Sequence, residues 1–340
     1  MIPAPYLLYL GHFQDPADIK TSRGLAVFRR EDCIAEFRHD DCPLTLDLPR
    51  MTIAEAAAAG AKTLVLGIAA AGGRLNEALI ADAAAAISAG MNVAAGLHHR
   101  LRDQPTLAAA AAASGVSLFD VRDPPADLPV GNGKRREGKR LLTVGTDCST
   151  GKMFTTLALT TALRERGVNA DFRATGQTGI LIAGDGVPVD AVVADFIAGA
   201  IEMLSPARTD GGWDLIEGQG SLFHPSFAGV STGLLHGAQP DALVLCHDPS
   251  RPHLRGLPHY PLPDVGRCIA ENLRVAALTN PDVTMVGIAL NTSKINEDEA
   301  RRLCETTGAE NGLPCTDPHR FGADAIIDRL LAAFDMVPVA

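Results

Sequence analysis

Apolar residues recur in two rhythms along this chain. Short unbroken runs alternate with longer stretches in which apolar positions return at helical spacing. In the N-terminal part the pattern predicts helix over Thr52–Gly60, strand over Thr63–Gly67 and helix over Asn76–Gly90. Strand over Asn92–Ala95, helix over Leu107–Gly115 and strand over Ser117–Val121 follow. Upstream, Leu25–Phe28 and Cys33–Phe37 flank a charged tetrapeptide and read as a hairpin. The alanine runs end in glycine and suit thin helices lying close to a sheet.

A stretch rich in Pro, Gly and charge, Arg122–Arg140, breaks both rhythms and reads as an interdomain connection. Beyond it the alternation resumes with larger elements. Strands are predicted at Leu141–Val144, Ala170–Arg173, Trp213–Ile216, Ala242–Cys246 and Thr284–Leu290. Helices are predicted at Lys152–Arg166, Val189–Leu204 and Val265–Leu278, and two more close the chain. The expected architecture is α/β with parallel sheets: a smaller domain over 1–125, a linker over 126–140 and a larger domain over 141–340.

Composition narrows the picture. Of 340 residues, 46% are hydrophobic and 21% charged, as in a folded globular protein. A net charge of −10 argues against nucleic acid or an anionic membrane as partner. No run is long enough to span a bilayer, and the start lacks the layout of a signal peptide. Seven scattered cysteines without a CxxC pair fit free thiols in a reducing cytoplasm and make a structural zinc site an unattractive reading. Oligomeric state is not legible, although alanine-rich apolar surface would favour a homo-oligomer.

The chemistry concentrates in LLTVGTDCSTGK, a strand, a loop of small residues and a helix opening at Gly151-Lys152. This is the layout of a phosphate-binding P-loop, in which backbone N–H groups and a helix N-terminus converge on an anion. Gly145, Thr146, Asp147, Cys148, Ser149, Thr150, Gly151, Lys152 and Met153 are the candidate cofactor-binding residues. Five residues rather than four separate Gly145 from Gly151. Met153 stands where nucleotide hydrolases place a magnesium-binding Ser or Thr, and a thioether is a poor ligand for that hard cation. The loop is thus suited to gripping a diphosphate but not to metal-assisted chemistry on it, and no metal is expected. Thr155 and Asp147 are the residues that would have to substitute.

In open parallel sheets ligands bind beyond the carboxyl ends of strands, which directs attention to several polar loops. Glu217, directly after a strand in IEGQGS, is a candidate base, and His224 is its alternative. In RATGQTG, Arg173, Gln177 and Thr178 offer donors to a carboxylate or phosphate. Arg251, with Arg255 nearby, could clamp a dicarboxylate or belong to a surface ion-pair cluster. Cys148 could act as a nucleophile, although small loop residues are more simply chosen for fit. Asp190 and Asp195 fall on different sides of a predicted helix and do not suit a shared metal. His98 also follows a strand-end turn. The Gly-rich Gly67–Arg74 loop is a second, weaker anion-loop candidate.

GTDCSTGK, ATGQTG and IEGQGS resemble, in order and context, the motifs of dethiobiotin synthetase and its relatives. A wider set resembles the D-glutamate N-acetyltransferase family, long catalogued as a domain of unknown function. That set is KTSRGLAVFRRED, GIAAAGGRLNE, AAGLHHRLRD, GTDCSTGKM, VPVDAVVADFIAGAIE, EGQGSLFHPSF, HDPSR and ALNTS. The resemblance runs over nearly the whole chain and includes Met153. It implies a Rossmann-like first domain, a P-loop second domain and acetyl transfer from acetyl-CoA to D-glutamate in D-amino acid catabolism. On that reading the P-loop holds the CoA diphosphate, and Glu217 or a histidine supplies the base. Thr178 or backbone N–H groups polarise the thioester, and Arg173 with Arg251 receives the two carboxylates. The rival is an ATP- and magnesium-dependent ligase or kinase of the dethiobiotin synthetase type.

Overall fold

The structure is a computed structural model that describes residues 2–16, 18–68 and 75–335. The chain forms two units, 1–124 with 176–188, and 125–175 with 189–340.

The first unit is built on a parallel five-stranded sheet. Its strands are β1 (Tyr6–Gly11), β2 (Cys33–Arg38), β3 (Thr63–Leu66), β4 (Asn92–Ala95) and β5 (Leu118–Asp120), in the order β2-β1-β3-β4-β5. Leu7 on β1 faces Ala35 on one side and Leu64 on the other. Helices α1 (Lys20–Phe28), α2 (Ile53–Ala58), α3 (Glu77–Ser88) and α4 (Pro105–Ser114) come from the chain before residue 124. Thr52 and Glu55 close α2 with a reciprocal capping box, and the Asn76 side chain accepts from Leu79 N to start α3. Ala56, Ala83, Ala86 and Ala111 are buried in the core with Leu64, Leu66, Ile87 and Val93. Small side chains let these helices sit close to the sheet, as the alanine runs suggested.

One expectation fails here. Leu25–Phe28 is not the first arm of a hairpin but the last turn of α1. Thr21, Ser22 and Leu25 are buried at helical spacing, and β2 instead pairs in parallel with β1, a strand not anticipated from the sequence. The segment α6 (Gln177–Ala183) also belongs to this unit. Thr178 Oγ1 lies 2.7 Å from Thr21 Oγ1, and Arg29 donates to the Ile182 carbonyl at 2.8 Å. Of the Gly67–Arg74 loop, residues 69–74 lie outside the described residues.

The second unit carries a six-stranded parallel sheet. Its strands are β6 (Lys139–Gly145), β7 (Ala170–Arg173), β8 (Trp213–Ile216), β9 (Ala242–His247), β12 (Thr284–Leu290) and β13 (Cys315–Thr316), in the order β13-β12-β9-β6-β8-β7. A separate antiparallel hairpin joins β10 (His253–Leu254) to β11 (Leu257–Pro261). The helices are α5 (Lys152–Glu165), α7 (Ile197–Leu204), α8 (Ala228–Ala238), α9 (Val265–Ala276), α10 (Glu297–Asn311) and α11 (Asp324–Ala333). Trp213, Leu215, Val244 and Val286 are fully buried in its core with Ile326 and Leu330. The helix expected over Val189–Leu204 is shorter: two short helical turns hold Asp190 and Asp195, both exposed, and α7 begins only at Ile197. The irregular stretch before β6 is pinned to this unit. Glu202 accepts from Asn132 N and Gly133 N, and Arg136 donates to the Gly237 carbonyl. No helix among the described residues is long and apolar enough to cross a membrane.

Candidate functional site

β6 is flanked by β9 and β8 in the sheet, so the loop after it has neighbours on both sides. Thr146, Asp147, Thr150 and Lys152 are buried. Two residues take left-handed backbone conformations, Ser149 (φ 54°) and Gly151 (φ 102°). Ser149 does so without glycine's freedom, the kind of local strain that tertiary structure must hold in place. A Cβ on Gly145 would lie 2.8 Å from Thr150 Oγ1 and 2.9 Å from Lys152 Nζ, so only glycine fits the base of the loop. Lys152 Nζ donates to the Asp147 carbonyl at 2.8 Å. Burial pulls the Lys152 ammonium below the usual lysine value, against the raising influence of Cys148 and other nearby groups. Burial pushes the Cys148 thiol up, with Lys152 opposing.

Asp147 organises the loop. Its Oδ1 accepts from Cys148 N at 2.6 Å, and its Oδ2 accepts from Arg251 Nη1 at 2.9 Å and Arg255 N at 2.8 Å. Arg251 also donates to the Cys148 and Ser149 carbonyls, while its Nε pairs with Asp248 at 2.8 Å. Arg255 occupies the tight turn between β10 and β11, where Gly256 is left-handed (φ 76°), and its guanidinium reaches Ser149 Oγ. From β8 comes a third wall. Gly218 N donates to Thr143 Oγ1 at 3.0 Å, and a Cβ there would meet the Thr143 carbonyl at 1.7 Å and Lys152 Cδ at 3.0 Å. Ser221 Oγ donates to the Thr146 carbonyl.

The structure gives several sequence candidates other tasks. The buried Glu217 carboxylate accepts from Thr175 N at 3.0 Å and Gln219 Nε2 at 3.1 Å, tying the ends of β7 and β8 together. His224 accepts from Ser226 N on Nδ1 and contacts the Arg255 carbonyl through Nε2 at 3.2 Å. Nε2 thus helps hold the hairpin turn and Nδ1 its own loop, so both ring nitrogens are engaged. Ligand atoms of Asp147, Cys148 and His224 lie within 4.8 Å of one another. Arg251 on the carboxylate makes that cluster unfavourable for a cation. Arg173 pairs with Asp214 at 2.9 Å and approaches Asp171, so its charge is already met. Arg251 is likewise neutralised by Asp147 and Asp248. Neither arginine has the open charge expected of a carboxylate clamp. Thr155 hydrogen-bonds the Cys246 thiol. Gln177 and Thr178 belong to the first unit, where Gln177 packs against Gly96 and Thr178 against Thr21. His98 is exposed.

One cluster went unread in the sequence. At the carboxyl ends of β1 and β2, Asp82 Oδ2 accepts from Tyr9 OH at 2.8 Å and pairs with His39 Nε2 at 2.9 Å. His12 stacks on His39 with ring centroids 3.8 Å apart and pairs with Asp41. Its parts are scattered over β1, the residues after β1 and β2, and α3, so only the tertiary fold could reveal it.

Two family models match the chain. Residues 37–124 match the N-terminal Rossmann-like domain of DUF1611, and residues 129–327 match its P-loop domain, both described as domains of unknown function. The chain belongs to the DUF1611 family. A DUF1611 family protein from Anabaena variabilis, known from a crystal structure, superposes with a TM-score of 0.89 at 35% identity, over 97% of this chain and 100% of that one. Two curated relatives are D-glutamate N-acetyltransferases. The one from Tritonibacter scottomollicae is 48% identical over 98% of this chain and 100% of its own length. The one from a Pseudoalteromonas species is 48% identical over 97% and 99%. The resemblance to the D-glutamate N-acetyltransferase family, the α/β fold with Rossmann-like and P-loop domains, and the acyltransferase class read from the motifs are borne out.

Proposed function

We propose that this protein transfers acetyl from acetyl-CoA to the amino group of D-glutamate, with the P-loop holding the CoA diphosphate and no metal taking part. The observation that carries this reading is near-half identity over essentially the full length of two D-glutamate N-acetyltransferases. The loop chemistry supports it. A diphosphate brings concentrated negative charge, and the loop offers Lys152 and Arg255 beside a helix N-terminus, with Met153 in place of a magnesium ligand. In the reaction the amine nitrogen attacks the thioester carbonyl, the carbon–sulfur bond breaks, CoA leaves as thiolate, and the ammonium's proton goes to a base. Hydrogen-bond donors suffice to stabilise the oxyanion on the way. The reaction serves D-amino acid catabolism in the cytoplasm.

This reading relocates the base. An extended pantetheine arm is about as long as four extended residues, so the thioester lies roughly 14 Å from the diphosphate. Glu217 and His224 belong to the walls of the loop and shape the cofactor site, while the base acts an arm's length away.

The test follows free thiol released from acetyl-CoA with D-glutamate, with and without EDTA, and ADP when ATP and magnesium are supplied. Chelator-resistant thiol release without ADP is the expected result. Magnesium-dependent ADP formation that needs an acceptor would replace this reading with the ligase or kinase.

A further inference from the structure

Three cations approach the P-loop, and their electrostatic surroundings differ. Lys152 is buried and hydrogen-bonded to the Asp147 carbonyl. Arg251 is flanked by two carboxylates, Asp147 at 2.9 Å and Asp248 at 2.8 Å, and holds the Cys148 and Ser149 carbonyls. It is a brace for the loop, with its charge compensated. Arg255 is exposed, and its guanidinium touches only the neutral Ser149 hydroxyl, with no carboxylate partner among the described residues.

The position of Arg255 is nevertheless fixed. Its backbone N–H donates to Asp147 Oδ2 at 2.8 Å, and its carbonyl meets His224 Nε2 at 3.2 Å. It sits in a two-residue turn, with Leu254 paired to Leu257 across it. The main chain is therefore clamped to the loop whatever the side chain does. An uncompensated guanidinium held at the rim of a P-loop that also carries the buried Lys152 ammonium is an arrangement completed by an anion, and the planar fork suits phosphate oxygens.

We propose that Arg255 is a phosphate-binding residue, delivered to the P-loop by the β10–β11 turn, and that it selects ligands carrying a phosphoanhydride. In the acetyltransferase reading, on which the identity of the ligand rests, it grips the CoA diphosphate. Asp147 and His224 are the positioning residues that seat the turn carrying it.

The experiment is calorimetric titration of the full chain, as wild type, Arg255→Gln and Arg255→Lys, with two probes: inorganic pyrophosphate and CoA. Loss of one charge-assisted contact predicts weaker binding of both by about 10- to 100-fold in Arg255→Gln. Arg255→Lys recovers part of it, and added salt weakens the wild type more than Arg255→Gln. The side chain is exposed and the backbone contacts survive substitution, so melting temperatures stay together. Pyrophosphate binding within twofold of wild type in Arg255→Gln overturns the proposal. CoA binding by neither protein, with pyrophosphate still weakened by the substitution, leaves Arg255 as a phosphate ligand and sinks the acetyl-CoA reading instead. S-acetylpantetheine, which has no phosphates, should be turned over equally by wild type and Arg255→Gln. A large loss with that substrate shows that Arg255 serves another step.

Discussion

The carboxyl edges of the two sheets make an instructive pair. Both are parallel, and both gather charged and aromatic side chains where strands end. At the edge of the first sheet the groups satisfy one another: His39 and Tyr9 share Asp82, and His12 has Asp41. At the edge of the second the accounts stay open. Lys152 is buried on a backbone carbonyl, Arg255 rests on a hydroxyl, and Ser149 holds a left-handed backbone between them. Polar content alone does not distinguish a site from a well-satisfied surface network. Charge left without a counter-charge does.

The largest effect that would sharpen the contrast is expected at Lys152. Lys152→Met should abolish measurable CoA binding, a loss of about 100-fold or more, while the melting temperature holds or rises. The ammonium is fully buried, with one hydrogen bond among the described residues, so removing it relieves a desolvation cost. A fall in thermal stability matching the loss of binding would make the lysine structural. Next comes Glu217→Gln. As a wall of the loop, Glu217 should affect the KM for acetyl-CoA by about 10-fold, with kcat nearly unchanged, since one charge-assisted hydrogen bond is weakened. A collapse in kcat at normal KM, about 100-fold or more, would show a base at the loop and a folded pantetheine arm.

The comparison is most exposed at the first edge. Asp82→Asn should cost about 1–2 kcal/mol of stability by denaturant titration, through Tyr9 and His39, and leave CoA affinity and kcat alone. Lost turnover at unchanged stability would mean that the satisfied edge is a site as well. The smallest effect is a fraction of a proton. Burial depresses Lys152 in the free protein, and a bound phosphate favours its charged form, so binding in alkaline buffer should take up protons. Affinity then falls as pH rises through the depressed value. Calorimetry in buffers of different ionisation enthalpy reads the uptake, and zero uptake would place the phosphate away from the ammonium.

The limits of the sequence reading follow from what each signal depends on. Thr284–Leu290 was legible to the residue because a buried parallel strand is a largely apolar run. The P-loop was legible because its chemistry is contiguous. The β10–β11 hairpin was not, since prolines at 252, 258 and 261 and a two-residue strand leave no alternating pattern. Arg173 and Arg251 looked like substrate clamps because a sequence shows a cation but not the aspartate beside it. Gln177 and Thr178, four and five residues after the end of β7, were grouped with Glu217 because both loops follow strands of the second unit. The fold gives them to the other unit.

That last assignment bears on how the polypeptide is made. The chain passes from one unit to the other at 124–125, 175–176 and 188–189, so the first unit is not a contiguous stretch of sequence. A ribosome that has released residue 124 has yet to synthesise α6, which meets Thr21 and Gly96. α1 and the residue after β4 therefore wait for that partner while β6, α5 and β7 are made. The first unit is complete only after β6, α5 and β7 of the second have been synthesised, so its last helix docks after the rest of that first unit has been made.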